Sequence, residues 1–173
     1  MTVVQRDVVF SLGSNLGDSL ARLQAAVDAL GRVAGLTLTA VSAVYLTKPV
    51  DYLLQPDFHN IVVLGRSASS PLELLAQANR IEQELGRVRH ADKGPRAVDI
   101  DLIKVGELTS NTARLQLPHP GAARRAFVLV PWAEVDPAAE LPEGRVAELV
   151  ATVGHGGVEL LPGTSIVLAD QEM

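Results

Sequence analysis

The stretch Val8-Val9-Phe10-Ser11-Leu12-Gly13-Ser14-Asn15-Leu16-Gly17-Asp18-Ser19-Leu20 decides the architecture, because it holds a strand, a turn and a helix start in thirteen residues. Its apolar residues Val8, Val9, Phe10 and Leu12 close a strand predicted over Val3 to Leu12, which Gly13 bounds and a Gly/Ser/Asn turn follows. From Asp18 to Gly31 the apolar positions Leu20, Leu23, Val27 and Leu30 fall at helical spacing. Asp18 reads as the N-cap and Gly31 as the stop.

Outward from that unit, Leu36 to Tyr45 alternates as a half-buried strand, and its β-branched content fits a pleated surface. Thr47 to Asp57 reads as a long loop, and Phe58 to Gly65 as another short strand. Ser70-Pro71-Leu72-Glu73 is a capping box with Pro at the first helical position; the helix it starts runs to Gly86 and buries Leu74, Ala78, Ile81 and Leu85. After a basic loop from Arg87 to Arg96, Val98 to Val105 resumes strand alternation. Helices are predicted around Arg125 to Val135 and Val146 to Val153, with a Gly-rich, variable tail from about Gly154. The order β-α-β-β-α-β predicts an α+β fold, the ferredoxin-like split β-α-β with an antiparallel sheet flanked by helices.

The chain has 173 residues and a mass of 18.3 kDa, the size of one domain able to bury roughly 70% of its unfolded surface. A single domain over residues 1–173 is therefore expected. With 47% hydrophobic and 20% charged residues, the composition excludes a disordered or low-complexity chain. The absence of cysteine removes disulfides, thiolate nucleophiles and thiolate-ligated metals together, and fits a reducing compartment. Arg6 and Asp7 interrupt the N-terminal apolar run, and no later stretch is long and uncharged enough for a span, so no membrane and a cytoplasmic location are expected.

The net charge of −5 argues against nucleic-acid binding. Between Asn79 and Arg125, however, nine Lys or Arg face six Asp or Glu. One focused basic patch in an acidic chain suits a compact polyanion such as a nucleoside triphosphate.

Val98-Asp99-Ile100-Asp101-Leu102 carries the chemistry. On a strand, both carboxylates project from one face, about 6 to 7 Å apart, while the apolar residues take the other. Two like charges at that spacing are mutually unfavourable unless a cation lies between them, and hard oxygen donors suit Mg²⁺. An edge strand with a solvated polar face is the competing reading. The loop just upstream supplies Arg87, Arg89, Lys93 and Arg96, whose guanidinium forks pair with phosphate oxygens. Asn79 and Glu82 share a face of the helix leading into that loop, and His119 is held between two prolines. Gly13-Ser14-Asn15-Leu16-Gly17-Asp18 has the look of a phosphate cradle but lacks the lysine of a P-loop, so it reads as a structural turn.

Taken in order, Leu12-Gly13-Ser14-Asn15-Leu16-Gly17, Tyr45-Leu46-Thr47, Gln55-Pro56-Asp57-Phe58-His59-Asn60, Arg80-Ile81-Glu82, Gly86-Arg87-Val88-Arg89, Gly94-Pro95-Arg96-Ala97-Val98-Asp99-Ile100-Asp101, Leu117-Pro118-His119-Pro120 and Arg125-Ala126-Phe127 resemble the 6-hydroxymethyl-7,8-dihydropterin pyrophosphokinase family, from about Val8 to Pro142. The resemblance implies transfer of pyrophosphate from ATP to the pterin hydroxymethyl group in folate biosynthesis, with release of AMP. It implies two Mg²⁺ ions held by Asp99 and Asp101, with Arg87 and Arg96 as catalytic residues. It further implies ATP contacts at Asn79, Glu82, Arg87, Arg89, Arg96, Ile100, His119 and Arg125. Pterin contacts are implied at Thr47, Lys48, Val50, Phe58, Asn60 and Phe127, with the two rings sandwiching the heterocycle. A monomer is expected. Lys48, Lys93 and Pro120 depart from the family's usual residues.

Two other readings stay open on sequence alone. A nucleotidyltransferase also joins a Gly-Ser turn to an Asp-x-Asp strand, but here the aspartates lie far downstream of Gly13-Ser14. A noncatalytic binding module would share the fold without the chemistry.

Overall fold

The computed structural model describes residues 4–48, 56–86 and 97–169. Strand β1 spans Arg6–Ser14 and so runs through Gly13 instead of stopping before it. Helix α1 covers Ser19–Gly31, and the Asp18 carboxylate accepts from the Ala21 N–H at 3.1 Å, as the N-cap reading requires. Gly31 is the last helical residue; the left-handed turn falls four residues later at Gly35, whose φ is +80°.

The strand expected over Leu36 to Tyr45 is two strands, β2 (Leu36–Val41) and β3 (Tyr45–Thr47), both lying along β4 (Phe58–Ser67). The break is at Ser42. Its N–H donates to the Val62 carbonyl and its hydroxyl oxygen accepts from the Val62 N–H, each at 2.9 Å, so a side chain replaces one rung of the ladder. Thr47, predicted as loop, is the last residue of β3. Helix α2 spans Pro71–Glu84 with the full capping box: the Ser70 hydroxyl accepts from the Glu73 N–H, and the Glu73 carboxylate accepts from the Ser70 N–H.

Strand β5 (Asp99–Val105) is followed by a small hairpin, β6 (Ser110–Asn111) and β7 (Gln116–Leu117). A 3₁₀ turn over Ala122–Arg124 leads into α3 (Ala126–Val135), with Arg125 at its N-cap. A second hairpin, β8 (Glu140–Leu141) and β9 (Gly144–Arg145), precedes α4 (Val146–Val153). In the described part of the tail, β10 (Val158–Leu160) joins the main sheet and Ile166 is buried in the core.

The main sheet runs β10-β3-β4-β1-β5, with β2 also paired to β4, and every pair is antiparallel. This is the split β-α-β order, with additions at both margins. Alternation along the strands sorts side chains to two faces. Val8, Phe10, Leu12, Ile61, Val63, Ile100 and Leu102 pack under α1 and α2. Val9, Val62 and Ile103 pack under α3 and α4, around the buried Trp132.

Candidate functional site

The registers at the C-terminal end of β1 bring the predicted residues onto one face. Gly13 pairs with Asn60 of β4 on one side and Asp99 of β5 on the other; Ser11 pairs with Val62 and Asp101. Because Val62 lies under α3, Asn60, Asp99 and Asp101 belong to that same face. Directly paired residues share a face, so Thr47, opposite Phe58, and Tyr45, opposite Asn60, join them. The amide of Asn60 and the carboxylate of Asp99 thus sit two strands apart, about 10 Å, across a single glycine.

On the β3–β4 side, Asn60 is 4% exposed and its Nδ2 donates to the Thr47 hydroxyl at 2.7 Å. Phe58 and Phe127 are both half-buried; Phe127 stands in the first turn of α3, the helix that covers this face. Helix α3 is tied to β3 by Glu134, which accepts from the Tyr45 hydroxyl at 2.8 Å and from the Ala43 N–H at 3.1 Å. Burial and the Glu134 carboxylate raise the Tyr45 pKa, so the phenol keeps its proton and donates. Phe127 and Glu134 are two helical turns apart on one side of α3, and Tyr45 and Thr47 share one side of β3. The clamp therefore ties the helix that carries Phe127 to the strand that carries Thr47. Lys48 is exposed at the end of β3.

On the β5 side, Asp99 and Asp101 are partly exposed and project from the strand as the alternation predicts. Glu82, 3% exposed on α2, accepts from the Ile100 N–H at 2.9 Å. Its carboxylate therefore holds the outer edge of β5 between the two aspartates. The Ile100 side chain is buried beneath α1 and α2, and its N–H is taken up by Glu82. Asn79, one turn before Glu82, is exposed. The Ser14 hydroxyl donates to the Ala97 carbonyl, and Asn15 Nδ2 donates to the Pro56 carbonyl at 3.1 Å. Gly13 and Ser14 thus belong to β1 and not to the turn expected over Gly13–Asp18, and Ser14 and Asn15 tie together the segments entering both halves of the site.

His119 approaches from the loop after β7, its N–H donating to the Ile103 carbonyl at 2.8 Å. Its Nδ1 accepts from the Gly121 N–H at 3.1 Å, which leaves the proton of the neutral ring on Nε2. Burial lowers its pKa, Asp101 opposes that shift and Arg125 adds to it. At neutral pH His119 is an uncharged donor beside Asp101. The Arg125 guanidinium carbon lies 5.8 Å from the centre of the Phe127 ring, and a Cβ on Gly121 would come within 2.7 Å of Arg125 Nε. Arg125 therefore crosses above a glycine to join the two halves.

Val50, Arg87, Arg89 and Arg96 lie outside the described residues, as does Lys93. Among the described residues no group of three or more His, Asp or Glu is placed to hold a metal, and Asp99 and Asp101 together offer two carboxylates. That donor set fits Mg²⁺, which keeps waters and substrate phosphates in its remaining positions. The sequence motifs include Gly13 and Tyr45 without giving either a role of its own, and Gly121 and Glu134 carry no motif, although Gly121 directly follows Leu117-Pro118-His119-Pro120.

Residues 9–137 match the sequence model of the 7,8-dihydro-6-hydroxymethylpterin-pyrophosphokinase (HPPK) family. A Pseudomonas aeruginosa 2-amino-4-hydroxy-6-hydroxymethyldihydropteridine pyrophosphokinase is 41% identical over 162 residues, covering 93% of this chain and 99% of that one. The protein of the same name from Mycobacterium tuberculosis is 42% identical over 144 residues, 78% of this chain and 74% of that one. In solved structures, Plasmodium falciparum HPPK-DHPS with pteroate superposes with a TM-score of 0.69 at 13% identity, over 88% of this chain. This chain spans 43% of that longer one, and the likeness shows the shared fold. The chain belongs to the 7,8-dihydro-6-hydroxymethylpterin-pyrophosphokinase family.

Proposed function

We propose that this protein transfers the pyrophosphoryl group of ATP to the hydroxymethyl oxygen of 6-hydroxymethyl-7,8-dihydropterin, releasing AMP, and that it requires Mg²⁺. The observation that carries the reading is the register at Gly13. It sets a buried amide with aromatic neighbours beside an acidic pair, on one face and about 10 Å apart. A heterocycle held at Asn60 would present its side-chain alcohol toward a triphosphate held over Asp99 and Asp101.

Asn60, oriented by Thr47, would read the hydrogen-bonding edge of the heterocycle, and Phe58 and Phe127 would take its two flat faces. Val50 and Lys48 complete the same proposed subsite. Asp99 and Asp101 would hold Mg²⁺, in two ions, which when bound would neutralise charge on the triphosphate. Glu82 supports this pair from behind the strand through the Ile100 N–H. His119 Nε2–H would donate to a phosphate oxygen, and Arg125 would place a fixed positive charge between the subsites. Arg87, Arg89 and Arg96 are assigned to the phosphates, with Arg87 and Arg96 stabilising the charge that develops in transfer, and Asn79 to the nucleoside.

In the transfer itself, the alcohol oxygen bonds to the β-phosphorus, the bond from that phosphorus to the α,β-bridging oxygen breaks, and AMP leaves. The alcohol proton passes to solvent. Alignment and charge neutralisation do the work, and no covalent protein intermediate is required. A net charge of −5 argues against nucleic acid, the basic excess between Asn79 and Arg125 suits a compact polyanion, and no helix among the described residues is long and apolar enough to cross a membrane. Action as a cytoplasmic monomer completes the proposal.

The test is product analysis. With MgATP and hydroxymethyldihydropterin, purified protein should yield AMP and pterin diphosphate in equal amounts, and chelation of Mg²⁺ should stop it. Release of pyrophosphate would indicate nucleotidyl transfer, and binding without turnover a noncatalytic module; either would overturn the assignment.

A further inference from the structure

We propose that Gly13 is a specificity-determining position for the heterocycle: its missing side chain is what allows the Asn60 amide to take the orientation that recognises the ring. The inference rests on the reading of Asn60 as the residue that meets the heterocycle.

Gly13 lies inside β1, paired on both sides, and is not among the glycines with positive φ. Its backbone conformation is open to any residue, and glycine in a strand interior is destabilising relative to alanine. Conformation does not explain it, but space does. A Cβ at Gly13 would lie 2.7 Å from Asn60 Oδ1, well inside van der Waals contact.

Something would have to yield, and the surroundings decide what. The Gly13 backbone is held in ladders to β4 and β5, and the next residue is anchored through the Ser14 hydroxyl to Ala97. The Asn60 side chain is the softer partner, yet it is 4% exposed and bonded at 2.7 Å to Thr47 on its other side. An alanine at position 13 therefore rotates the amide off Thr47. With glycine, Oδ1 lies over bare backbone and Nδ2 is committed to Thr47. The amide then presents an acceptor, suited to a flat ring whose edge carries N–H donors. A site built around such a bond discriminates strongly against ligands that lack it.

The experiment is a double-mutant cycle read in steady-state kinetics for both substrates, with Gly13→Ala, Asn60→Ala and the pair. Gly13→Ala should raise the KM for the pterin at least about tenfold and leave the KM for ATP within about twofold. In the Asn60→Ala background, where the clashing atom is gone, adding Gly13→Ala should change the pterin KM by less than about twofold. A wild-type pterin KM in Gly13→Ala, or effects of the two substitutions that multiply, would overturn the proposal while leaving the role of Asn60 intact. A wild-type pterin KM in Asn60→Ala would overturn the reading of Asn60 and the proposal with it. Should Gly13→Ala not fold, melting curves replace kinetics: Asn60→Ala must restore folding to the double variant, and failure to restore it overturns the proposal.

Discussion

The two faces of β1 and β5 use the same backbone for opposite purposes. On one face Phe10, Leu12, Ile100 and Leu102 are buried beneath α1 and α2. On the other, at the same level of the sheet, stand Ser11, Gly13, Asp99 and Asp101, small or charged residues that leave room and supply oxygen donors. One residue of offset separates a side chain that holds the fold from one that the proposed function assigns to substrate or metal. The faces should therefore separate in experiment, with stability lost from one and turnover from the other.

The widest separation is expected at the aspartates. Asp99→Ala or Asp101→Ala should lower the rate of AMP release about 10³-fold or more while the metal-free melting temperature does not fall. A large drop in melting temperature would show that the faces are not independent. The converse substitution is Leu12→Ala, which removes a fully buried side chain and should cost about 2–5 kcal/mol in denaturant unfolding. Folded Leu12→Ala protein should retain its KM for both substrates.

Glu82 sits on the boundary, since it comes from the structural layer and grips the edge of the strand that carries Asp99 and Asp101. Glu82→Ala leaves the Ile100 N–H buried without that acceptor and should cost about 1–3 kcal/mol. Glu82→Gln, which keeps an acceptor oxygen, should recover stability and most of the turnover. Equal loss in both variants would instead indicate that its charge matters.

The smallest effect is expected at His119. Burial depresses its pKa below 6.5, so in acid the unfolded chain binds a proton that the folded chain resists. Its contribution to stability is complete above about pH 6.5 and is lost as pH falls toward the folded-state value. Melts of metal-free protein from pH 8 down to pH 5 should show a decline that His119→Gln flattens, modest because Asp101 opposes the shift.

Much of this was legible in the residue pattern because periodicity reports burial directly. The alternation of Asp99 and Asp101 with Ile100 and Leu102 placed the acidic pair on one face, and Asp18 and the Ser70–Glu73 box marked both helix starts. What escaped were contacts with no local signature. Ser42 replaces a ladder rung by reaching Val62, and the alternation runs on through it, so the pattern gave no sign that the strand divides there. Glu82 looks like an exposed helical carboxylate until α2 is docked on β5. Gly13 and Asn60 are far apart in the chain, and only the β1–β4 register shows that one must be small for the other to fit. The three-residue β10 is too short for any period to register in a Gly-rich segment.

That last strand has a mechanical meaning. Val158 pairs with Thr47, and a few residues later Ile166 is buried with the α1 layer while Gln24 exchanges two hydrogen bonds with the Val167 backbone. The chain thus laces the outermost ribbon to the far side of the molecule. A cut after residue 154 would unfasten both at once, so the heterocycle subsite should soften there before the acidic subsite does.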